Sequence, residues 1–226
     1  MRLIIRDVGG LQAGHSSVVT INVLKKLFGH PDSGHAYKVR LFMIVANIAH
    51  DYECVDIWIP RDQRSAEFQS VARFGEVPVL VDNGRAHVQS NAILLHLAQQ
   101  MHAWGAESPE RLDLCTQWLM WEANKIGLCL PQLRARARFG SDAALDGAFD
   151  WLSARYTHDV NIIEAELTDG RQWIIDGKDP SIADFSLCGY LYFADEAGLT
   201  VPAKVQAWLD RIAALPGWQS PYALLA

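Results

Sequence analysis

The chain has 226 residues, half of them hydrophobic, and a formal net charge of −6. That length holds one large domain or two small ones, and the apolar share supplies a real core. The negative charge argues against nucleic acid or an anionic membrane as the main partner. No apolar run reaches the length of a transmembrane helix. The cysteines Cys54, Cys115, Cys129 and Cys188 are scattered and form no Cys-x-x-Cys. They predict neither a disulfide frame nor a zinc site, and fit a reducing, cytoplasmic compartment.

Residues 1–24 are set aside as an N-terminal extension of unknown role. Met1-Arg2-Leu3-Ile4-Ile5-Arg6 can form a strand, but Gly9-Gly10 and Gly14 interrupt any signal-peptide core. Lys26-Leu27-Phe28-Gly29 reads as a short strand, and His30-Pro31-Asp32-Ser33-Gly34 as the loop after it. Leu41, Phe42, Val45, Ala46 and Ala49 keep helical spacing and predict a helix over 37–49. A strand over 52–59, ended by Pro60, and a short helix over 65–73 follow. The strand–helix–strand order implies a parallel pair with a crossover.

The densest local chemistry lies in Val77-Pro78-Val79-Leu80-Val81-Asp82-Asn83-Gly84 and Val88-Gln89-Ser90-Asn91. Proline lacks an N–H, so inside a sheet it is confined to edges, strand starts or bulges. A cis Val77–Pro78 bond turns the Val77 backbone outward toward an extended ligand; a trans bond leaves an ordinary strand start. Asn83-Gly84 is a strong hairpin turn, because both residues accept positive φ. Ser90 is a good N-cap for a helix over 91–101. The free N–H groups and positive dipole end of such a helix can hold a carboxylate, and equally can do nothing beyond capping.

After Trp104-Gly105-Ala106 the pattern is helical throughout. Ser108-Pro109 opens a helix with proline at its first position. Leu112, Cys115, Leu119, Ala123, Ile126, Leu130 and Leu133 predict one long amphipathic helix, and Phe149, Leu152, Tyr156, Val160, Ile163 and Leu167 a second, ending at Gly170. Ser181-Ile182-Ala183-Asp184 is a capping box before an apolar helix through Ala194. A last helix over 205–215 stops at Pro216-Gly217. The predicted division is 1–24, an α/β domain over 25–102, and an all-α domain over 108–226. Arg134, Arg136 and Arg138 have period two and share no helical face; a solvated helix end is the first reading, attraction of an acidic substrate the second. Trp118, Trp121 and Lys125 flank the apolar stripe and can line a pocket or pack against a neighbour. His30, His50, His87, His96, His102 and His158 lack metal-ligand spacing, so they are read as incidental and no metal is expected.

In this order, Ser33-Gly34-His35-Ala36-Tyr37-Lys38-Val39-Arg40, Val77-Pro78, Gln89-Ser90 and Pro180-Ser181-Ile182-Ala183-Asp184 resemble the serine-type bacterial members of the glutathione S-transferase superfamily. The resemblance runs from Lys25 to the C-terminus. It implies a thioredoxin-like N-terminal domain, an all-helical C-terminal domain, a glutathione site in the first, a variable hydrophobic site between them, and a homodimer. It implies that the Ser33 hydroxyl faces the glutathione sulfur, with His35 beside it. Val77, next to cis-proline Pro78, would pair with the cysteinyl backbone, and Gln89 and Ser90 would hold the γ-glutamyl end. Asp184 would cap a buried helix. Gly75 stands where some classes carry a polar side chain for the ligand, so the glycyl carboxylate falls to Arg61, Gln63 or Arg64. The activity implied is conjugation of the glutathione thiolate to a small hydrophobic or electrophilic molecule. Glutathione-dependent peroxide or disulfide reduction, and a non-enzymatic binding module, are the alternatives.

Overall fold

A computed structural model describes residues 25–226, so the segment 1–24 lies outside the described residues. The sequence builds a four-stranded mixed sheet followed by helices, the thioredoxin-like and all-helical arrangement expected. Strands β1 (Lys25–Gly29), β2 (Asp51–Cys54), β3 (Val79–Asp82) and β4 (Arg85–Val88) lie in the order β2-β1-β3-β4. β1 and β2 are parallel, and β3 runs antiparallel to both β1 and β4. Helix α1 (Gly34–Val45) joins the parallel pair, and α2 (Ala66–Val71) and α3 (Ser90–Met101) complete this half. The Asn83-Gly84 turn has φ of 52° and 75°, the two positive values a two-residue hairpin needs.

β2 is shorter than predicted. Gly29, the last residue of β1, accepts from Val55 N–H, and β1 offers no edge beyond it. Asp56 Oδ1 then accepts from Trp58 N–H and turns the chain away.

The helical half comprises α4 (Pro109–Asn124), α5 (Ile126–Phe139), α6 (Asp146–Glu166), α7 (Ile182–Leu191), α8 (Ala203–Ala213) and α9 (Pro221–Leu225). The single helix predicted from Leu112 to Leu133 is two, broken at Lys125. Gly127 carries the reason. A Cβ on Gly127 would stand 2.7 Å from Glu122 Oε1, so glycine lets α5 restart against that carboxylate. Pro131 lies within α5, which continues through it although proline cannot donate to the carbonyl one turn back.

One apolar core runs through both halves, from Leu27, Phe42 and Leu80 to Phe185, Leu187 and Trp208. A small second cluster of Phe28, Val55, Phe68 and Val79 fills the space under α2. The halves meet most closely where α1 crosses α7. A Cβ on Gly34 would stand 2.7 Å from the Tyr190 ring, and one on Gly189 would stand 2.7 Å from the Gly34 carbonyl oxygen. The capping box at α7 is formed as read: the fully buried Asp184 carboxylate accepts from the N–H groups of Ile174 and Ser181, from Ser181 Oγ and from Trp208 Nε1. Among the described residues no helix is long and apolar enough to cross a membrane.

Candidate functional site

The start of β3, the end of β4 and the N-terminal turns of α1 and α3 converge on one side of the sheet. They enclose a cavity of about 360 Å³ with α4 as its far wall. His35, Val77, Pro78, Gln89 and Ser90 all line it, joined by Phe74, Glu76, Asn91, Met120 and Glu122. Five residues singled out from scattered stretches of sequence are thus brought together. Ser33 and Gln63 are not among the lining side chains.

The Val77–Pro78 bond is cis. No backbone group among the described residues bonds to the N–H or carbonyl of Val77, which precedes the first ladder residue, Val79. Gln89 has φ of 70°, a left-handed value that is uncommon for a residue with a Cβ and that clusters at ligand sites. α3 begins one residue earlier than predicted, so Gln89 rather than Ser90 is the N-cap, and its side chain makes no capping bond. The first N–H groups of α3 therefore stand at the cavity with the buried Ser90 beside them.

Ser33 is the N-cap of α1. Its Oγ accepts from Ala36 N–H at 3.1 Å, and its own O–H proton is left for another acceptor. Two residues on, His35 Nδ1 is buried without a hydrogen-bond partner, and its ring stands edge-on to Tyr190 at 4.9 Å. Burial, reinforced by the Lys38 charge and only partly opposed by Glu122, pushes the His35 pKa down to about 4. The imidazole is neutral at pH 7 and carries one N–H donor.

A shallower groove adjoins the cavity, sharing Phe74, Glu76 and Gln89 and adding Arg61, Arg73 and Gly75. Gly75 has φ of 65°, and a Cβ there would stand 2.9 Å from Arg61 Cδ. Arg61 lies across the bare glycine. Arg64 is committed elsewhere, donating to the carbonyls of Gly75 and Ile57. Gln63 is exposed in a 3-10 turn over Arg61–Gln63.

Beneath the cavity is a buried polar cluster that sequence reasoning missed. Lys38 Nζ pairs with Glu122 Oε2 at 2.8 Å, with both side chains 1% exposed. Asn91 donates to the same oxygen at 2.9 Å, and Ser186 Oγ donates to Asn91 Oδ1. Burial works to raise the Glu122 pKa, but the Lys38 charge, His35 and Asn91 hold it below the ordinary carboxylate range. An apolar stripe carrying a lysine and a glutamate was the available signal. On α4 it is Met120, Glu122 and Ala123 that reach the cavity, whereas Trp118 and Trp121 pack ring against ring at 5.4 Å.

Arg134 is not a solvated helix end: it is 4% exposed and hydrogen-bonded on all sides. Two histidines read as incidental also have structural work. His30 Nδ1 accepts from Asp32 N–H, and His96 bonds to Asp82 Oδ2. The thiols of Cys115, Cys129 and Cys188 are buried, and burial pushes each pKa up, which leaves them unreactive.

Residues 27–103 match the family described as glutathione S-transferase, N-terminal domain. Among known proteins, the chain is 26% identical over 216 aligned positions to a dichloromethane dehalogenase of Methylophilus leisingeri, an alignment spanning 81% of this chain and 73% of that one. Among solved structures it is similar to a glutathione S-transferase of Xanthobacter autotrophicus, with 28% identity, a TM-score of 0.75, and coverage of 86% of this chain and 95% of the other. A glutathione S-transferase of Pseudomonas fluorescens is similar at 26% identity and a TM-score of 0.76, with 87% and 98% covered. The N-terminal domain thus matches the glutathione S-transferase family, and the chain shares the glutathione S-transferase architecture along nearly the full length of these enzymes.

Proposed function

We propose that the cavity binds glutathione and that the protein conjugates its thiolate to a small electrophile. The observation that carries this reading is the convergence of His35, Val77, cis-Pro78, Gln89 and Ser90 on one cavity. The unpaired Val77 backbone suits the cysteinyl unit of an extended peptide. Gln89, Ser90 and the N-terminus of α3 suit the γ-glutamyl carboxylate. Arg61, lying over Gly75, is assigned the glycyl carboxylate in preference to Gln63 or Arg64, because Arg64 already has backbone partners.

The sulfur is placed at the N-terminus of α1, with the Ser33 O–H and the His35 imidazole as donors. A free thiol titrates near ~8.5, and only the thiolate attacks. Hydrogen bonds to sulfur favour the thiolate, and lowering its pKa by one unit takes about 1.4 kcal/mol, within the range of one charge-assisted bond. The thiolate forms a carbon–sulfur bond as the leaving group departs with its electron pair. The dichloromethane dehalogenase among the relatives makes small halocarbons a first electrophile class to screen. The active species is proposed to be a cytoplasmic homodimer.

Calorimetric titration should give saturable glutathione binding. Ser33→Ala should cut turnover roughly tenfold at pH 6.5, one pKa unit's worth, with unchanged circular dichroism. Full activity of Ser33→Ala on every accepted substrate would remove Ser33 from the mechanism. Turnover of hydroperoxides in preference to aryl and alkyl halides would replace conjugation with reduction.

A further inference from the structure

Arg134 sits in α5, far along the chain from the loop that carries Ser33, yet it is the loop's main anchor. Its Nη1 donates to the Asp32 carbonyl at 2.8 Å and its Nη2 to Asp32 Oδ1 at 3.1 Å. Nη2 also donates to the Tyr222 hydroxyl of α9 at 2.7 Å, and Nε to Glu196 Oε2 at 2.8 Å. The guanidinium lies 4.0 Å from the centre of the Phe193 ring. Tyr222 closes the figure by donating to Glu196 at 3.1 Å. Arg138 pairs with the same Asp32 carboxylate.

The peptide between Asp32 and Ser33 is therefore held at both poles. Its carbonyl takes the Arg134 bond, and its N–H, that of Ser33, donates to the His30 carbonyl at 2.9 Å. The neighbouring N–H of Asp32 is tied to His30 Nδ1 at 3.0 Å. Fixing this peptide plane fixes the Ser33 N and Cα; the Ser33 carbonyl, which accepts from Tyr37 N–H at 2.9 Å, then sets the Cα–Cβ direction, and the N-cap bond to Ala36 fixes χ1. Each of the three guanidinium nitrogens of Arg134 has a target, an arrangement a point-charge ammonium could not reproduce.

We infer that Arg134, clasped by Tyr222, is a positioning residue that aims the Ser33 hydroxyl at the glutathione sulfur, so that the helical half and α9 set the acidity of the bound thiol. This rests on the reading of Ser33 in the proposed function. It follows that α9, a helix of five residues distant from the cavity in sequence, contributes to chemistry without touching the ligand.

The experiment measures the pKa of enzyme-bound glutathione from its ultraviolet thiolate absorbance as a function of pH, which requires no electrophile. Wild type, Ser33→Ala, Arg134→Lys, Tyr222→Phe and the Arg134→Lys/Ser33→Ala double variant are compared, with thermal melts alongside. The thiol pKa should rise in Arg134→Lys by at least half the rise in Ser33→Ala, and by less in Tyr222→Phe. The double variant should titrate no higher than Ser33→Ala alone, because Arg134 acts through Ser33. Unchanged thiol pKa values in both latch variants, whatever their melting temperatures, would overturn the inference, as would additive shifts. Tyr222 is exposed and its substitution keeps the ring, so that variant carries the test where Arg134→Lys fails to fold. Two other outcomes strike the underlying reading and take the latch with it: no glutathione binding by wild type, or no shift in Ser33→Ala.

Discussion

Burial and the neighbouring Lys38 ammonium both oppose a proton on His35, and Glu122 offsets them only in part. The folded-state pKa of about 4 lies below the ordinary value of 6.5, so folding favours the neutral ring. That contribution to stability is complete above pH 6.5 and is lost as pH falls from there toward 4. A base this weak takes few protons from a thiol near pH 7, whereas a neutral N–H can still donate to a thiolate. The His35 ring protons should titrate by nuclear magnetic resonance with a midpoint near 4, and His35→Asn, which keeps a donor, should retain more activity than His35→Leu. A midpoint above 6 would replace the donor role of His35 with that of a base. His35 itself was visible in the sequence as a polar residue two places past Ser33; its unpartnered Nδ1 was not, because the Tyr190 ring that flanks it comes from another helix. Arg134 shows the same limit more sharply. Its partners Asp32, Tyr222 and Glu196 are 102, 88 and 62 residues away. Spacing along one helix reports only partners three or four places off, and on that scale Arg134 looked like one charge in a solvated run.

Elements defined by local chemistry were legible; those defined by a neighbour were not. The Asn83-Gly84 hairpin, the Ser181–Asp184 capping box and the Gly170 stop each contain their own cause. The α4–α5 break at Lys125, the early end of β2 and the short α9 depend on what packs beside them, although Ser220-Pro221 repeats the helix-opening pattern of Ser108-Pro109. Asp82 shows how one element is pinned to others. It closes β3, and its carboxylate takes Lys25 from β1 at 2.6 Å and His96 and Gln100 from α3, both at 2.8 Å. Burial works to raise its pKa, but these three hydrogen bonds outweigh it and bring the value down to about 2, from an ordinary 3.8. A depressed carboxylate stabilises above its unfolded pKa and loses that stabilisation as pH falls through the folded one. The clamp should therefore weaken between about pH 4 and pH 2, with about 2 kcal/mol at stake. Urea melts across this window should show a stability loss in wild type that Asp82→Asn, already weaker at pH 6, lacks. Parallel pH curves for the two proteins would show that Asp82 is not the titrating clamp.

At the scale of the molecule, the buried Lys38–Glu122 pair decides whether the sheet half and the helical half behave as one. Lys38 belongs to α1 and Glu122 to α4, and Asn91 of α3 and Ser186 of α7 bond into the same cluster. Four helices from both halves thus share a single carboxylate, at the boundary where the continuous apolar core crosses between them. A buried pair of this kind gives little net stability over apolar side chains of equal volume, since desolvation consumes most of the attraction. Its value lies in what a broken pair costs. Lys38→Met strands a carboxylate inside the protein and should destabilise it by about 3–5 kcal/mol. Adding Glu122→Gln removes the stranded charge while keeping an acceptor for Asn91, and should recover at least half of that loss. Chemical denaturation of the two variants and wild type checks both steps. A double variant no more stable than Lys38→Met would mean that the ammonium's packing, and not the charge it neutralises, holds the halves together. In wild type the shared core and the shared carboxylate require one cooperative transition, followed identically by tryptophan fluorescence and far-ultraviolet circular dichroism. Two separated transitions would show that the halves fold independently despite the single core.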